Sequence, residues 1–167
     1  ESFCDVMPEE SHIALTVEDG VVVLKSFGKF WGLAGVRLGF AIGTRETLTG
    51  PEGYLGDLLG PWAVSGPAIT IGTAALQDQA WAEETRDRLA EDADRLDALM
   101  LAHGAELVGG TTLFRLYDVG DAEAWQQYLG QHLIWTRIFP YSTSWIRLGL
   151  PGTEEGWQRL TVALDAL

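Results

Sequence analysis

The chain has 167 residues, 47% of them hydrophobic and 21% charged, with a formal net charge of -13. That length supports one hydrophobic core, or one lobe and part of another, and no apolar run approaches the ~20 residues that a membrane-spanning helix needs. The acidic balance repels phosphodiester backbones, so a broad nucleic-acid surface is excluded and any anion must be held by a few local arginines.

Residue 1 is Glu and the sequence enters structured-looking segments at once, so a fragment of a longer protein is expected. The single cysteine, Cys4, has no internal disulfide partner, which agrees with a reducing cytoplasm; its simplest role is that of a small, nearly buried side chain. Residues 21–24 form a β-branched run between Gly20 and Ser26, and residues 38–43 have a similar look. Both read as buried strands of an α/β sheet covered by helices on its two faces.

Between those strands lies Ser26-Phe27-Gly28-Lys29, followed by Gly32, Gly35, Arg37 and Gly39. Lys29 is one of only two lysines in the chain, the other being Lys25. A lysine amine attacks carbonyls when desolvation or cationic neighbours activate it, and glycines let a bulky group approach the backbone. The segment therefore reads as a Schiff-base lysine for an aldehyde cofactor. Ser26 offers a hydroxyl and Arg37 a two-pronged donor for a phosphate on that cofactor. The same glycines fail the Walker pattern, with Val23 at its first glycine and Phe30 after the lysine, and they fail the dinucleotide pattern as well.

Residues 50–67 are rich in glycine and proline and predict turns with one short helix. A helix is expected over 68–77, then a longer one over 79–103, where Leu89, Ala93, Leu96 and Met100 recur on one stripe and Gly104 is the stop. The acidic residues Glu83, Glu84, Asp87, Glu91, Asp92 and Asp94 read as its solvated face. A strand over 113–117, a helix over 122–132 beginning near Asp121, strands over 134–139 and 145–150, and a last helix capped by Thr153 follow. That helix places Trp157, Leu160, Leu164 and Leu167 on one stripe, and the seven tryptophans read mostly as core. The division expected is 1–80 as part of a large domain and 81–167 as a small α/β domain, with the long helix as the bridge.

On the strand over 145–150, alternation separates Arg147 from Ile146, Leu148 and Leu150, so its cation needs an anionic partner. That partner is either a carboxylate of the chain or the carboxylate of a substrate. Arg137 alternates in a similar way, whereas Arg115 reads as a surface or ion-pair residue. His12, His103 and His132 have no metal-ligand spacing, and the last two fall at helix ends where a cationic ring suits the dipole. No metal site is expected.

The run from Ser26 to Lys29 with Gly32-Leu33-Ala34-Gly35-Val36-Arg37-Leu38-Gly39 resembles the cofactor-lysine segment of fold-type I pyridoxal-phosphate enzymes, in the histidinol-phosphate aminotransferase branch. Gly60-Pro61-Trp62-Ala63-Val64-Ser65 and Trp145-Ile146-Arg147-Leu148-Gly149-Leu150-Pro151-Gly152 resemble the threonine-phosphate decarboxylases of cobalamin biosynthesis. The resemblance covers the chain as the C-terminal half of that fold: the end of the large-domain sheet plus a small α/β domain. It implies pyridoxal 5'-phosphate as cofactor, with Lys29 bonded to its aldehyde, Ser26 and Arg37 on its phosphate, Arg147 on the substrate carboxylate and Arg137 nearby. It also implies a small phosphorylated amino acid as substrate, decarboxylated to aminopropanol phosphate, in a cytoplasmic homodimer whose subunit contact falls within 50–67. Amino-group transfer of the histidinol-phosphate type is the alternative chemistry, and an inactive C-terminal fragment is the non-catalytic one. Phe3 stands where many aminotransferases have a tyrosine, and Ala63 stands for a common asparagine. An aspartate for the pyridinium nitrogen is expected just before Glu1.

Overall fold

Strands β1 (Val23–Ser26) and β2 (Gly39–Ile42) pair antiparallel in the computed structural model, which describes residues 1–49 and 55–167. They belong to one compact unit, Glu1–Ala82; a second runs over Glu83–Leu167. The register sets Val23 against Ile42 and Ser26 against Gly39, so the loop carrying Lys29 closes directly on the strand ends. The expectation of buried strands is corrected here, since Leu24 is 61% exposed and Phe40 37%. An apolar run states that a face needs a cover, not that this chain supplies it.

Helices α1 (Arg45–Thr49), α2 (Leu55–Leu59) and α3 (Gly66–Gln77) complete this unit. The short helix expected within 50–67 is α2, while residues 50–54 of that stretch lie outside the described ones. Ser65 caps α3 by accepting from the Ala68 N–H, and Pro67 sits in its first turn, where its missing N–H costs nothing. Gly72, buried on α3, lies so close under Leu38 that a Cβ would collide with the leucine Cδ2. The helix thereby approaches the end of the lysine loop that leads into β2.

Helix α4 (Gln79–Ala102) gives its first residues to the first unit and the rest to the second. Its stripe of Leu89, Ala93, Leu96 and Met100 is buried as the spacing predicts, and Gly104 ends it with φ +83°. In the second unit β3 (Glu106–Thr111), β4 (Phe114–Asp118), β5 (Arg137–Phe139) and β6 (Ser142–Gly149) form an antiparallel sheet ordered β3-β4-β6-β5. Helix α5 (Ala122–Gln131) is capped by Asp121, and α6 (Glu154–Asp165) by Thr153. Leu96, Met100, Tyr117, Leu129, Ile146 and Leu164 are fully buried together, each contributing roughly 2 kcal/mol of apolar transfer.

A polar clasp joins α4 to the sheet in this unit. Asp97 accepts from Arg115 Nη2 at 2.6 Å, Arg115 Nε at 3.0 Å and the buried Tyr117 hydroxyl at 2.6 Å. Arg115 is thus the ion-pair residue its sequence context suggested. Burial acts to raise the Asp97 pKa, but the hydrogen bonds from Arg115 and Tyr117 and the guanidinium charge hold it below the usual range. Burial, and then the bond to Asp97, pushes the Tyr117 hydroxyl well up.

Three sequence expectations need correction. Strand β5 begins at Arg137 rather than near Ile134, because the chain leaves α5 through Leu133 at φ +59°. Leu167 lies beyond the end of α6 and is 52% exposed. Of the tryptophans only Trp157 is fully buried, while Trp62 and Trp135 stand in the open.

Candidate active site

The loop between β1 and β2 is built by short-range bonds. The Phe27 N–H donates to the Leu38 carbonyl at 3.2 Å and so zips the neck; the Leu33 N–H donates to Phe27 at 2.9 Å and the Gly32 N–H to Lys29 at 3.0 Å. Gly32 turns the chain at φ +67°, a conformation with no steric cost for glycine. Ser26 Oγ accepts from the Gly28 N–H at 3.1 Å. That bond lays the backbone at 28 over the serine hydroxyl.

The two lysines have opposite fates. Lys25 Nζ is held by Asp5 at 2.8 Å and Glu1 at 3.9 Å. Lys29 is exposed, its Nζ lies 5.9 Å from the centroid of the Phe3 ring, and no carboxylate of the described residues pairs with it. Of the two amines, the one in the glycine-rich loop is the one left available for chemistry. The desolvation that the sequence reading required is not supplied by the described residues around it.

Arg37 is exposed in the left-handed region at φ +57°, and its Nη1 donates to the Ala34 carbonyl at 2.8 Å. The remaining guanidinium donors meet no carboxylate of the described residues. Ser26 and Arg37 both sit near the closed end of the loop, since Ser26 opposes Gly39 and Arg37 lies two residues before it.

The second unit carries a separate group of donors. Arg137 of β5 is the register partner of Arg147 of β6, and both line a cavity of about 590 Å³ with Phe114 and Trp135. Arg147 lies 4.7 Å over the Phe114 ring and Arg137 5.4 Å from that of Phe139. Neither guanidinium pairs with a carboxylate of the described residues, so the internal ion pair considered for Arg147 is not formed. Like charges set opposite one another destabilise a sheet. Thr136, whose buried hydroxyl has no hydrogen-bond partner among the described residues, lines the same cavity. Phe114, Trp135 and Thr136 escaped the sequence reading as site residues, because what brings them to one cavity is the packing of separate segments.

His103 and His132 have structural partners. His103 Nδ1 meets the Leu99 carbonyl at 2.8 Å and Nε2 meets Asp165 at 3.1 Å, while His132 caps α5. No group of metal-binding side chains occurs among the described residues.

The family model described as aminotransferase class I and II matches residues 2–165. A threonine-phosphate decarboxylase of Pseudomonas aeruginosa is 44% identical over 165 residues, covering 98% of this chain and 48% of that protein. One from Sinorhizobium sp is 40% identical over the same length, with the same coverage. The solved histidinol-phosphate aminotransferase of Sinorhizobium meliloti in complex with pyridoxal-5'-phosphate superposes with a TM-score of 0.82 at 21% identity, covering 99% of this chain and 47% of that one. The chain spans about half the length of the curated relatives it matches.

Proposed function

The chain belongs to the aminotransferase class I and II family, and we propose that the intact protein is a pyridoxal 5'-phosphate enzyme that decarboxylates L-threonine O-3-phosphate to aminopropanol phosphate in cobalamin biosynthesis. The observation that carries this reading is the pair Arg137 and Arg147, two guanidinium forks in one cavity with no internal carboxylate. A substrate bearing both a carboxylate and a phosphate offers one anion to each fork. The 44% identity to a threonine-phosphate decarboxylase supports the same choice.

The lysine loop fits the cofactor by the chemistry of its donors. An uncommitted amine at Lys29 suits an aldehyde, and the Ser26 hydroxyl with the Arg37 fork suits a phosphate monoester. Pyridoxal 5'-phosphate, when bound, supplies a ring that accepts the electron pair of the bond broken at the amino acid's α-carbon. Lys29 would hold the cofactor through its aldehyde, and its Nζ, when not so bonded, would hold the proton that replaces the carboxyl group on the α-carbon. Arg147 fixes the carboxylate and Arg137 the phosphate, which settles the orientation of the α-carbon substituents. The neutral loss of carbon dioxide leaves the amino group on the product.

The intact protein is read as a cytoplasmic homodimer acting on this small phosphorylated amino acid. The test is a single-turnover assay of the intact protein with threonine phosphate. Release of carbon dioxide with the cofactor's aldehyde form retained supports decarboxylation. Accumulation of the amine form without carbon dioxide overturns it in favour of amino-group transfer.

A further inference from the structure

The residues next to Lys29 are gripped by a stack of rings that the proposed chemistry does not use. Phe27 and Phe30 are 2% and 4% exposed, and Trp31 stacks on Phe27 with centroids 5.4 Å apart and planes 17° from parallel. On the far side of Trp31, Trp81 at the start of α4 stacks at 5.6 Å and 19°. Phe30 meets both indoles edge-on, at 5.1 Å from Trp31 and 5.5 Å from Trp81. Trp81 therefore touches each of the two residues that follow the lysine.

We infer that Trp81 is a positioning residue for Lys29, acting through Phe30 and Trp31; this rests on the reading of Lys29 as the cofactor lysine. The loop's own backbone bonds join residues 27, 29, 32, 33, 34, 36, 37 and 38 to one another, and the stacked rings are a second hold on Phe30 and Trp31. Aromatic pairs in stacked and edge-on geometry are directional, so the Trp81 indole fixes the tilt of Phe30 and Trp31 against a regular helix. The amine lies on the residue immediately before them. A displacement of about 1 Å in a reacting group costs about a hundredfold in rate, so a small loosening of this stack reaches the chemistry without any contact between Trp81 and cofactor or substrate.

The experiment compares Trp81→Ala, Trp81→Phe and Lys29→Ala in the intact, cofactor-loaded protein. Trp81→Ala is expected to lower kcat about tenfold with the substrate KM unchanged, and to move the pH midpoint of the visible band of lysine-bound cofactor by about half a unit. Trp81→Phe, which keeps a ring in the stack, is expected to restore both. In cofactor-free protein the exciton couplet of the Trp31–Trp81 stack, read by circular dichroism, should vanish in both Trp81 variants. Should Trp81→Ala not fold, Trp81→Leu gives the same comparison. A kcat and a midpoint equal to wild type in the ring-less variant, or no restoration by phenylalanine, overturns the inference. Lys29→Ala separates the two readings: loss of the band upholds the lysine assignment whatever Trp81 does, and its survival overturns that assignment.

Discussion

Arg137 and Arg147 stand opposite one another on neighbouring strands β5 and β6, and neither is neutralised by a carboxylate of the described residues. Two cations facing one cavity are an unfavourable arrangement for a sheet by itself. The arrangement becomes favourable once two anionic groups enter, which is the property a substrate with a carboxylate and a phosphate requires.

Removing either fork therefore has a selective effect. Arg147→Ala should lower kcat/KM for threonine phosphate about 10- to 100-fold, the range expected for charge-assisted hydrogen bonds. Arg147→Lys should recover part of it, since a point charge replaces the fork. Arg137→Ala should weaken threonine phosphate while leaving the weaker binding of threonine itself unchanged. Steady-state kinetics on the two amino acids checks this.

The clasp of Asp97, Arg115 and Tyr117 is structural, and its loss is expected to be read in stability. Asp97→Ala leaves a half-buried guanidinium and a buried hydroxyl without their acceptor. Cutting one partner from such a group costs about 3 kcal/mol. Urea denaturation followed by far-ultraviolet dichroism measures it, with Asp97→Asn expected to fall between.

The same clasp carries a pH dependence. The Asp97 carboxyl is held low in the folded protein, so its contribution is present above the unfolded value of about 3.9 and is lost as pH falls through the folded one. Tyr117 has the opposite sign: its folded pKa is raised, so its contribution is present below the unfolded value of about 10 and is lost as pH rises toward the folded one. Asp97→Ala should flatten the acid limb of the stability curve, and Tyr117→Phe the alkaline limb.

Strand β3 depends on a glycine. At φ +140°, a Cβ on Gly110 would collide with the Phe114 carbonyl oxygen and stand 2.9 Å from the Arg115 Cα. Backbone cannot yield as a side-chain tip does, so Gly110→Ala should cost about 2 kcal/mol or more. Thermal unfolding checks it.

The helices were the legible part of the fold. The stripe on α4, the helix start near Asp121, the cap at Thr153 and the stop at Gly104 are local signals, and the structure places them where the pattern predicts. Strand β3 was missed because Gly109 and Gly110 erase the alternation that marks a strand, and a bulge between Leu107 and Gly109 shifts its register. That the lysine loop lies between two strand ends is legible from the apolar runs flanking it, whereas its closing on Ser26 and Gly39 and the Trp81 stack are not, because register and the packing of segments remote in sequence are tertiary information. Alternation sets Arg137 and Arg147 apart from their apolar neighbours; their register across β5 and β6 is tertiary information. Exposed tryptophans at 62 and 135 contradict the composition-based reading because residue type states a preference for burial, not a location.

The central claim is that Lys29 is the amine that holds the cofactor. Borohydride reduction of the intact, cofactor-loaded protein, followed by peptide mapping, tests it most directly. A reduced cofactor bound covalently to Lys29, with Lys25 unlabelled in its pair with Asp5, is the result predicted. Label on Lys25, or a Lys29 peptide recovered without it, would contradict the account.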